Sequence, residues 1–427
     1  MTTLPPTDLL ASPARRRSFA RRYRRRLLAL ALPASLAGFW VALHRFPSFA
    51  SFVVDGVRSL VGPGPIAWLE DRAYGLQDRL DRWRHQGAPP VQYWEPPPAA
   101  ASGHAAPAAA PAPGEPDAPS PAPFEPPYRN VAAPGDGRWV AVADPQQPGR
   151  PSGLFKALVH PDPRRGYAVL ALVAIDLARV RLHVVPGTKE PESGELPRSR
   201  RPGLVDPAHH ATLLAGFNGG FQAIHGHWGM MVEGTTLLPP RPQACTVAAY
   251  RDGRVRVGVW KRLAETEPEM AFYRQTPPCL VEDGVVNPSA SESNPNWGAT
   301  VDGETIIRRS ALGAEATGRF AIYGMGDGLS TLTLARGMLA AGARDVAQLD
   351  VNHSYPRFFF YEVAPAEAPK VRQTLVPIND WRPDEYVGRR SWRDFFYLTK
   401  RLEGPPPAFS AAPPPPAPSA SPPPAAP

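Results

Sequence analysis

Residues 128–403 predict an α+β fold: a mixed, largely antiparallel sheet with a few helices. Three observations carry this. Short apolar segments recur around Asp-Gly and Glu-Gly pairs, the chemistry of tight hairpin turns. Only one stretch of the block has the apolar spacing and the end signals of a helix. Strand-like and helix-like segments do not alternate, which argues against a dinucleotide-binding βαβ fold, and no fixed-period repeat occurs.

In chain order, WVAVAD (139–144) alternates, and YAVLALVAIDL (167–177) and RVRLHVVPG (179–187) read as consecutive strands rich in Val, Leu and Ile. TLLAGFN (212–218) follows. GMMVEGTTLL (229–238) reads as a hairpin turning at Glu233-Gly234, and CTVAAYRDGRVRVGVW (245–260) as one turning at Asp252-Gly253. PCLVEDGVV (278–286) and ATVDGETIIRRS (299–310) repeat the pattern around Asp283-Gly284 and Asp302-Gly303, and RFAIYGMG (319–326) is another strand. LSTLTLARGMLAAGA (329–343) is the helix. Ser330 is a good N-cap and Gly342 a good terminator, and DVAQLD (345–350) then reads as a strand.

Around this block the composition changes. The chain has 427 residues and 57 prolines, of which 12 fall in 95–127 and 12 in 404–427. Such Pro/Ala tracts favour extended polyproline II and bury no core, so the first reads as a spacer and the second as a disordered tail. The formal charge of +8 suggests nucleic acid only until it is located. Residues 1–26 hold eight arginines and one acid, which leaves 39 basic against 38 acidic residues elsewhere. The excess is an arm, not a basic domain face, and no nucleic-acid partner is expected. The arm precedes the apolar run 27–43. Basic residues before such a run set its N-terminus in the cytoplasm. We read 27–45 as a transmembrane signal anchor; a cleaved export signal is the alternative. Either way, the domain is expected outside the cytoplasm. Within the juxtamembrane segment 46–94, Ile66, Leu69, Ala73, Leu76, Leu80 and Trp83 form a helical stripe, with Asp78 and Arg82 on the polar side. That helix is expected to pack on the membrane surface or on itself. Cys245 and Cys279 are the two cysteines, and the sequence leaves open whether they pair.

Candidate chemistry gathers at strand ends. Asn218-Gly219-Gly220 ends an apolar strand; the amide and glycine backbone suit a sugar hydroxyl or phosphate oxygen, or make an ordinary turn. Arg308 and Arg309 end another, so alternation sends one to each face, where one suits phosphate binding. Asp350 ends a third strand and His353 follows, offering an acid, base or nucleophile beside an imidazole. Asn352 and Ser354 add hydrogen-bonding groups. His225 and His227 read as a polar loop rather than a metal pair, and no zinc spacing is present. No cofactor is required by the sequence, although a divalent cation remains open.

The order of these segments, Asn-Gly-Gly-Phe, GMMVEG, PCLVEDG, RRSALG and GARDVAQLD, resembles the phosphodiester glycosidase family (the uncovering-enzyme type, which removes N-acetylglucosamine from a sugar phosphodiester). The resemblance covers roughly 150–365. It implies substrate binding by Asn218 and Gly219, a phosphate-neutralising Arg309, and catalysis by Asp350. This chain departs from the family's Asp-Gly-Gly-Gly-Ser loop, reading Asp350-Val351-Asn352-His353-Ser354. The expectation is an extracytoplasmic hydrolase of a glycosyl phosphodiester or related envelope glycan. Asp350, His353 and Arg309 would be catalytic, and Asn218, Gly219, Gly220, Asn352, Ser354 and Arg308 would bind substrate. Glycoside hydrolysis usually takes a second carboxylate, for which Glu233, Asp302 and Asp327 are candidates. A non-catalytic glycan-binding module is the rival.

Overall fold

The computed structural model describes residues 31, 35, 38, 76, 78–95, 120–147, 149–290, 306–352 and 354–402. The chain divides into two units, Met1–Ile66 and Ala67–Pro427, and the sheets belong to the second. The expected arm, nearly all of the anchor, most of the Pro-rich spacer, the tail, the turn at Asp302-Gly303 and His353 lie outside the described residues. Among the described residues no helix is long and apolar enough to cross a membrane.

Three sheets make the domain. The eight-stranded sheet runs β1 (Val140–Ala143), β2 (Pro151–Val159), β3 (Leu170–Asp176), β14 (Phe320–Leu329), β13 (Ile307–Glu315), β15 (Ala343–Val351), β11 (Val281–Glu282) and β12 (Val285–Val286). One five-stranded sheet runs β7 (Thr235–Leu238), β6 (Met230–Val232), β10 (Met270–Thr276), β8 (Cys245–Tyr250) and β9 (Val255–Val259). The other runs β17 (Lys370–Thr374), β16 (Phe358–Glu362), β5 (Leu213–Asn218), β18 (Phe395–Lys400) and β4 (Val180–Val185). Every strand pairing in these sheets is antiparallel, so the mixed element of the expectation does not appear among the described residues.

Local chemistry explains the joints. Glu233 and Gly234 both have positive φ (47° and 75°), as do Asp283 and Gly284 (50° and 79°). Paired positive φ twists a turn in the sense that tight antiparallel hairpins need. The helix α2 (Thr331–Ala340) starts in a reciprocal cap: Ser330 Oγ accepts from Thr333 N while Thr333 Oγ1 accepts from Ser330 N. Its Leu334, Ala335 and Met338 cover one face of the large sheet, against Leu170, Leu172, Ile322 and Val346. The opposite face joins a larger core with both small sheets, including Val173, Leu312, Phe217, Phe272 and Phe396. β3 is covered on both sides, and all seven of its positions are buried. That is why it reads as a continuous apolar run rather than an alternation.

Cys245 and Cys279 form a disulfide, tying the head of β8 to the segment before β11. Closing a loop of sequence separation 34 is worth on order of 3–4 kcal/mol through the unfolded chain.

The juxtamembrane helix departs from expectation in where it places its acid. Its described part, α1 (78–84), turns its acid inward. Asp78 is buried and accepts from Arg165 Nε (2.7 Å), Arg165 Nη2 (3.0 Å) and Tyr167 OH (2.8 Å). Leu76, Leu80 and Trp83 of the expected packing stripe are 59%, 45% and 73% exposed. Arg165 is itself buried and also holds Asp162. A buried guanidinium needs its carboxylates, and that demand sets which side of α1 meets the domain.

Candidate functional site

β5 and β15 belong to different sheets but end side by side. Asp350 N donates to Gly219 O (3.2 Å). Ser310 Oγ, on β13, donates to Asp350 O (2.9 Å) and accepts from Asn218 Nδ2 (2.9 Å). Asn218 and Asp350, 132 positions apart in sequence (350 − 218), are thereby brought together. A bulge places Arg309 opposite Val351 but Ala311 opposite Gln348, so Asp350 sits where the ladder is irregular.

Asn218 is fully committed inside the protein. Its Nδ2 donates to Ser310 and to Gly219 O (3.1 Å), and its Oδ1 accepts from Tyr323 OH (2.8 Å) and Arg357 N (3.2 Å). Those four bonds use both of its donor and both of its acceptor positions. The glycines are committed too. Gly219 N donates to Asp394 O (3.0 Å) and Gly220 N to Asp394 Oδ2 (2.9 Å). A Cβ on Gly219 would overlap Asp394, and one on Gly220 would stand 2.9 Å from Arg274 Cζ. These glycines make room for an internal ion pair.

That pair is Arg274 and Asp394. Arg274 Nε reaches Asp394 Oδ2 (2.9 Å) and Nη2 reaches Oδ1 (3.2 Å). Its remaining N–H groups go to the carbonyls of Trp228, Gln275 and Phe221. Both residues are buried.

The next residue, Arg393, makes a second pair. Its Nη2 lies in ion-pair contact with Asp350 Oδ2 and donates to Gly220 O (3.1 Å). Its guanidinium lies 3.9 Å over the ring of Tyr355, whose OH donates to Asp394 O (3.2 Å). Among the described residues, Arg393 Nε has no hydrogen-bond partner and Asp350 Oδ2 receives no aligned hydrogen bond. Asp350 Oδ1 accepts from Val351 N (2.9 Å). Burial raises the Asp350 carboxyl to about 6, against the lowering effect of Arg393, the Val351 N–H and Arg274, while Asp394 adds to the rise. Burial disfavours the Arg393 cation, but Asp350, Tyr355 and Asp394 outweigh it and its pKa is raised.

The remaining expected residues lie as follows. Arg309 turns to the α2 face, where it donates to Leu329 O (3.1 Å) and Gln348 Oε1 (3.2 Å), and burial lowers it to about 10. The principal cation acting on Asp350 is Arg393, not Arg309. Arg308 holds both oxygens of Asp327 at 2.8 Å. Asn352 Oδ1 accepts from Ser354 N (3.0 Å) and Tyr355 N (2.5 Å), so Asn352 and Ser354 shape the loop after Asp350. Glu233 is exposed in its hairpin turn. Among the described residues no cluster of three or more metal-ligating side chains occurs.

The sequence reading missed Arg274, Ser310, Tyr355, Arg393 and Asp394. The available signal was the charged pair Arg393-Asp394 directly before the apolar run FFYLT (395–399), which is β18.

No family model matches the chain, and no curated protein matches it. Among solved structures, the chain is similar to the zebrafish N-acetylglucosamine-1-phosphodiester alpha-N-acetylglucosaminidase catalytic domain, auto-inhibited by its pro-peptide. The identity is 14% and the TM-score 0.38, over 62% of this chain and 88% of that one. It is also similar to a hypothetical protein from Synechocystis, at 11% identity and TM-score 0.38, over 58% of this chain and 62% of that one. These are distant likenesses of fold, and no residue role is carried over from them.

Proposed function

We propose that this chain is an extracytoplasmic, membrane-tethered hydrolase of a glycosyl phosphodiester or a related envelope glycan linkage. The observation that carries the reading is the Asp350–Arg393 pair. It sets an acid with a pKa near 6 against a guanidinium that keeps an N–H unpaired among the described residues. Of the two side chains Arg393 is the more exposed, 11% against 4%, while its unpaired Nε is itself buried. Guanidinium binds phosphate oxygens with charge-assisted hydrogen bonds. Arg393 therefore takes the phosphate-neutralising role expected of Arg309. Asp350 exchanges a proton at the reacting oxygen, with His353 as an auxiliary acid. Water adds at the anomeric carbon as that carbon's bond to the phosphate oxygen breaks; Asp350 gives its proton to the departing oxygen, the carboxylate so formed takes one from the water, and the phosphomonoester stays on Arg393. Asn218, Gly219 and Gly220 hold the frame. The disulfide and the arginines before the apolar run support a domain outside the cytoplasm.

The test is turnover of a chromogenic sugar-1-phosphodiester by the detergent-solubilised full chain. D350N is expected to abolish turnover and R393A to raise KM by at least tenfold. If Asp350 works as a general acid, kcat/KM falls as pH rises through about 6. Full activity in D350N would remove the mechanism. The rival, a non-catalytic glycan-binding module, is favoured by one observation: Asn218 and both glycine N–H groups are spent internally. Glycan binding without turnover by the unmodified chain would establish it.

A further inference from the structure

The exposed stripe of α1 is unexplained by the site. We infer that α1 is a docking helix for an anionic lipid surface, with Leu76, Leu80 and Trp83 entering the headgroup boundary. Asp78 fixes which way the helix faces. It is locked to Arg165 and Tyr167, so the opposite face is presented outward. On that outward side Leu76, Leu80 and Trp83 follow steps of four and three, one face of a helix. Arg79 and Arg84 are also exposed, against one partly covered acid, Asp81, which Arg84 meets at 3.8 Å, while Arg82 reaches back to Asp78 (3.1 Å). Arginines beside an apolar strip that includes Trp suit the interface of an anionic bilayer rather than a protein groove. The sequence adds a reason for proximity, because the apolar run 27–43 ends 33 residues before Leu76 (76 − 43). Docking by α1 would hold the domain against the surface instead of leaving it on a free tether.

W83C supplies the probe in the full-length chain. The two native cysteines are bonded to each other, so a thiol-reactive, polarity-sensitive dye labels position 83 alone. A second labelled variant, V285C, reports a distant exposed site as control. The protein is reconstituted into vesicles of phosphatidylcholine with or without phosphatidylglycerol, each containing brominated lipid as quencher. The expected result is a blue shift and quenching at position 83 in the anionic vesicles, weaker in neutral ones and reduced by high salt, with position 285 unchanged. Three results would overturn the inference. One is a dye at position 83 that stays in water in both vesicles. Another is a blue shift without lipid quenching that grows with protein density, which would assign the stripe to a second copy. The third is a blue shift already present in detergent and unquenched by lipid, which would assign it to another segment of this chain.

Discussion

Arg393 and Asp394 are adjacent, and each closes one buried arginine–aspartate pair, yet the two pairs are built differently. In Arg274–Asp394 both carboxylate oxygens and all the guanidinium N–H groups are matched to partners. In Asp350–Arg393 the charges touch, but Asp350 Oδ2 receives no aligned bond and Arg393 Nε none at all among the described residues. A saturated pair specifies structure, and its loss leaves a buried charge without a partner. An unsaturated pair retains valence for something else, at a cost in stability. The first should therefore be needed for folding and the second for activity.

The harshest test removes the saturated pair. D394N leaves Arg274 as a buried cation without its counter-charge, and it disturbs the acceptor of Gly220 N. The expected loss is about 4 kcal/mol, read as a lower urea midpoint or as failure to accumulate soluble protein. A D394N chain as stable as the parent would mean that the two pairs are not distinct in kind. G219A attacks the same unit from the other side. The added Cβ overlaps both Asp394 Oδ2 and its carbonyl oxygen, and the backbone cannot yield as a flexible side chain would. About 3 kcal/mol should be lost, measured by thermal unfolding, whereas G234A, facing open space though at positive φ, should lose less.

The unsaturated pair should respond with the opposite sign. Burial holds the Asp350 carboxyl at about 6 in the folded protein, above the ordinary aspartate value of about 3.9. Between those values the native state binds the extra proton, so stability falls as pH rises through the window. Below it, both states are protonated and the penalty vanishes. D350N mimics the protonated form. It should therefore be more stable than the parent at pH 7.5, by about 2–3 kcal/mol, with the gap closing below pH 4. Urea midpoints of the two proteins across pH 3.5–8 would show this, and equal midpoints throughout would return Asp350 to an ordinary structural role.

How much of this was legible beforehand follows from which interactions are local. Turns such as Asp283-Gly284 and the cap at Ser330 are set by neighbouring residues, and the sequence displays them. β2 was not legible, because PSGLFKALV opens on Pro, Ser and Gly and carries Lys156 in its middle. β10, β16 and β18 were also passed over, although they hold Arg274 and the aromatic stack on Phe217. Asp350 was readable as an acid at a strand end. Its partner was not, since Arg393 meets it across a sheet boundary; alternation only sent Arg308 and Arg309 to opposite faces, and the resemblance singled out Arg309. Asn218 and its glycines were found as a motif, but not the packing they serve: they stand where Asp394 packs. The inward turn of Asp78 has the same origin. Its stripe is plain in the sequence, but Arg165, which decides the facing, is 87 positions away from Asp78.

The gentlest change probes the loop that follows Asp350. Asn352 Oδ1 gathers Ser354 N and Tyr355 N, fixing the turn that brings the Tyr355 ring under Arg393. Here a side-chain oxygen organises a turn that glycines would otherwise leave flexible. N352A removes that acceptor from a half-buried, partly solvated site, where water replaces some of the lost bonds, so about 1 kcal/mol is at stake. The functional consequence should exceed the energetic one. With Tyr355 released, Arg393 loses its stacking partner, and binding of a phosphodiester should weaken severalfold while the midpoint of unfolding hardly moves. N352D keeps an acceptor at the same position and should restore binding. Rescue by Asp and not by Ala would locate the effect in the turn; no rescue would place it in the amide N–H₂ group.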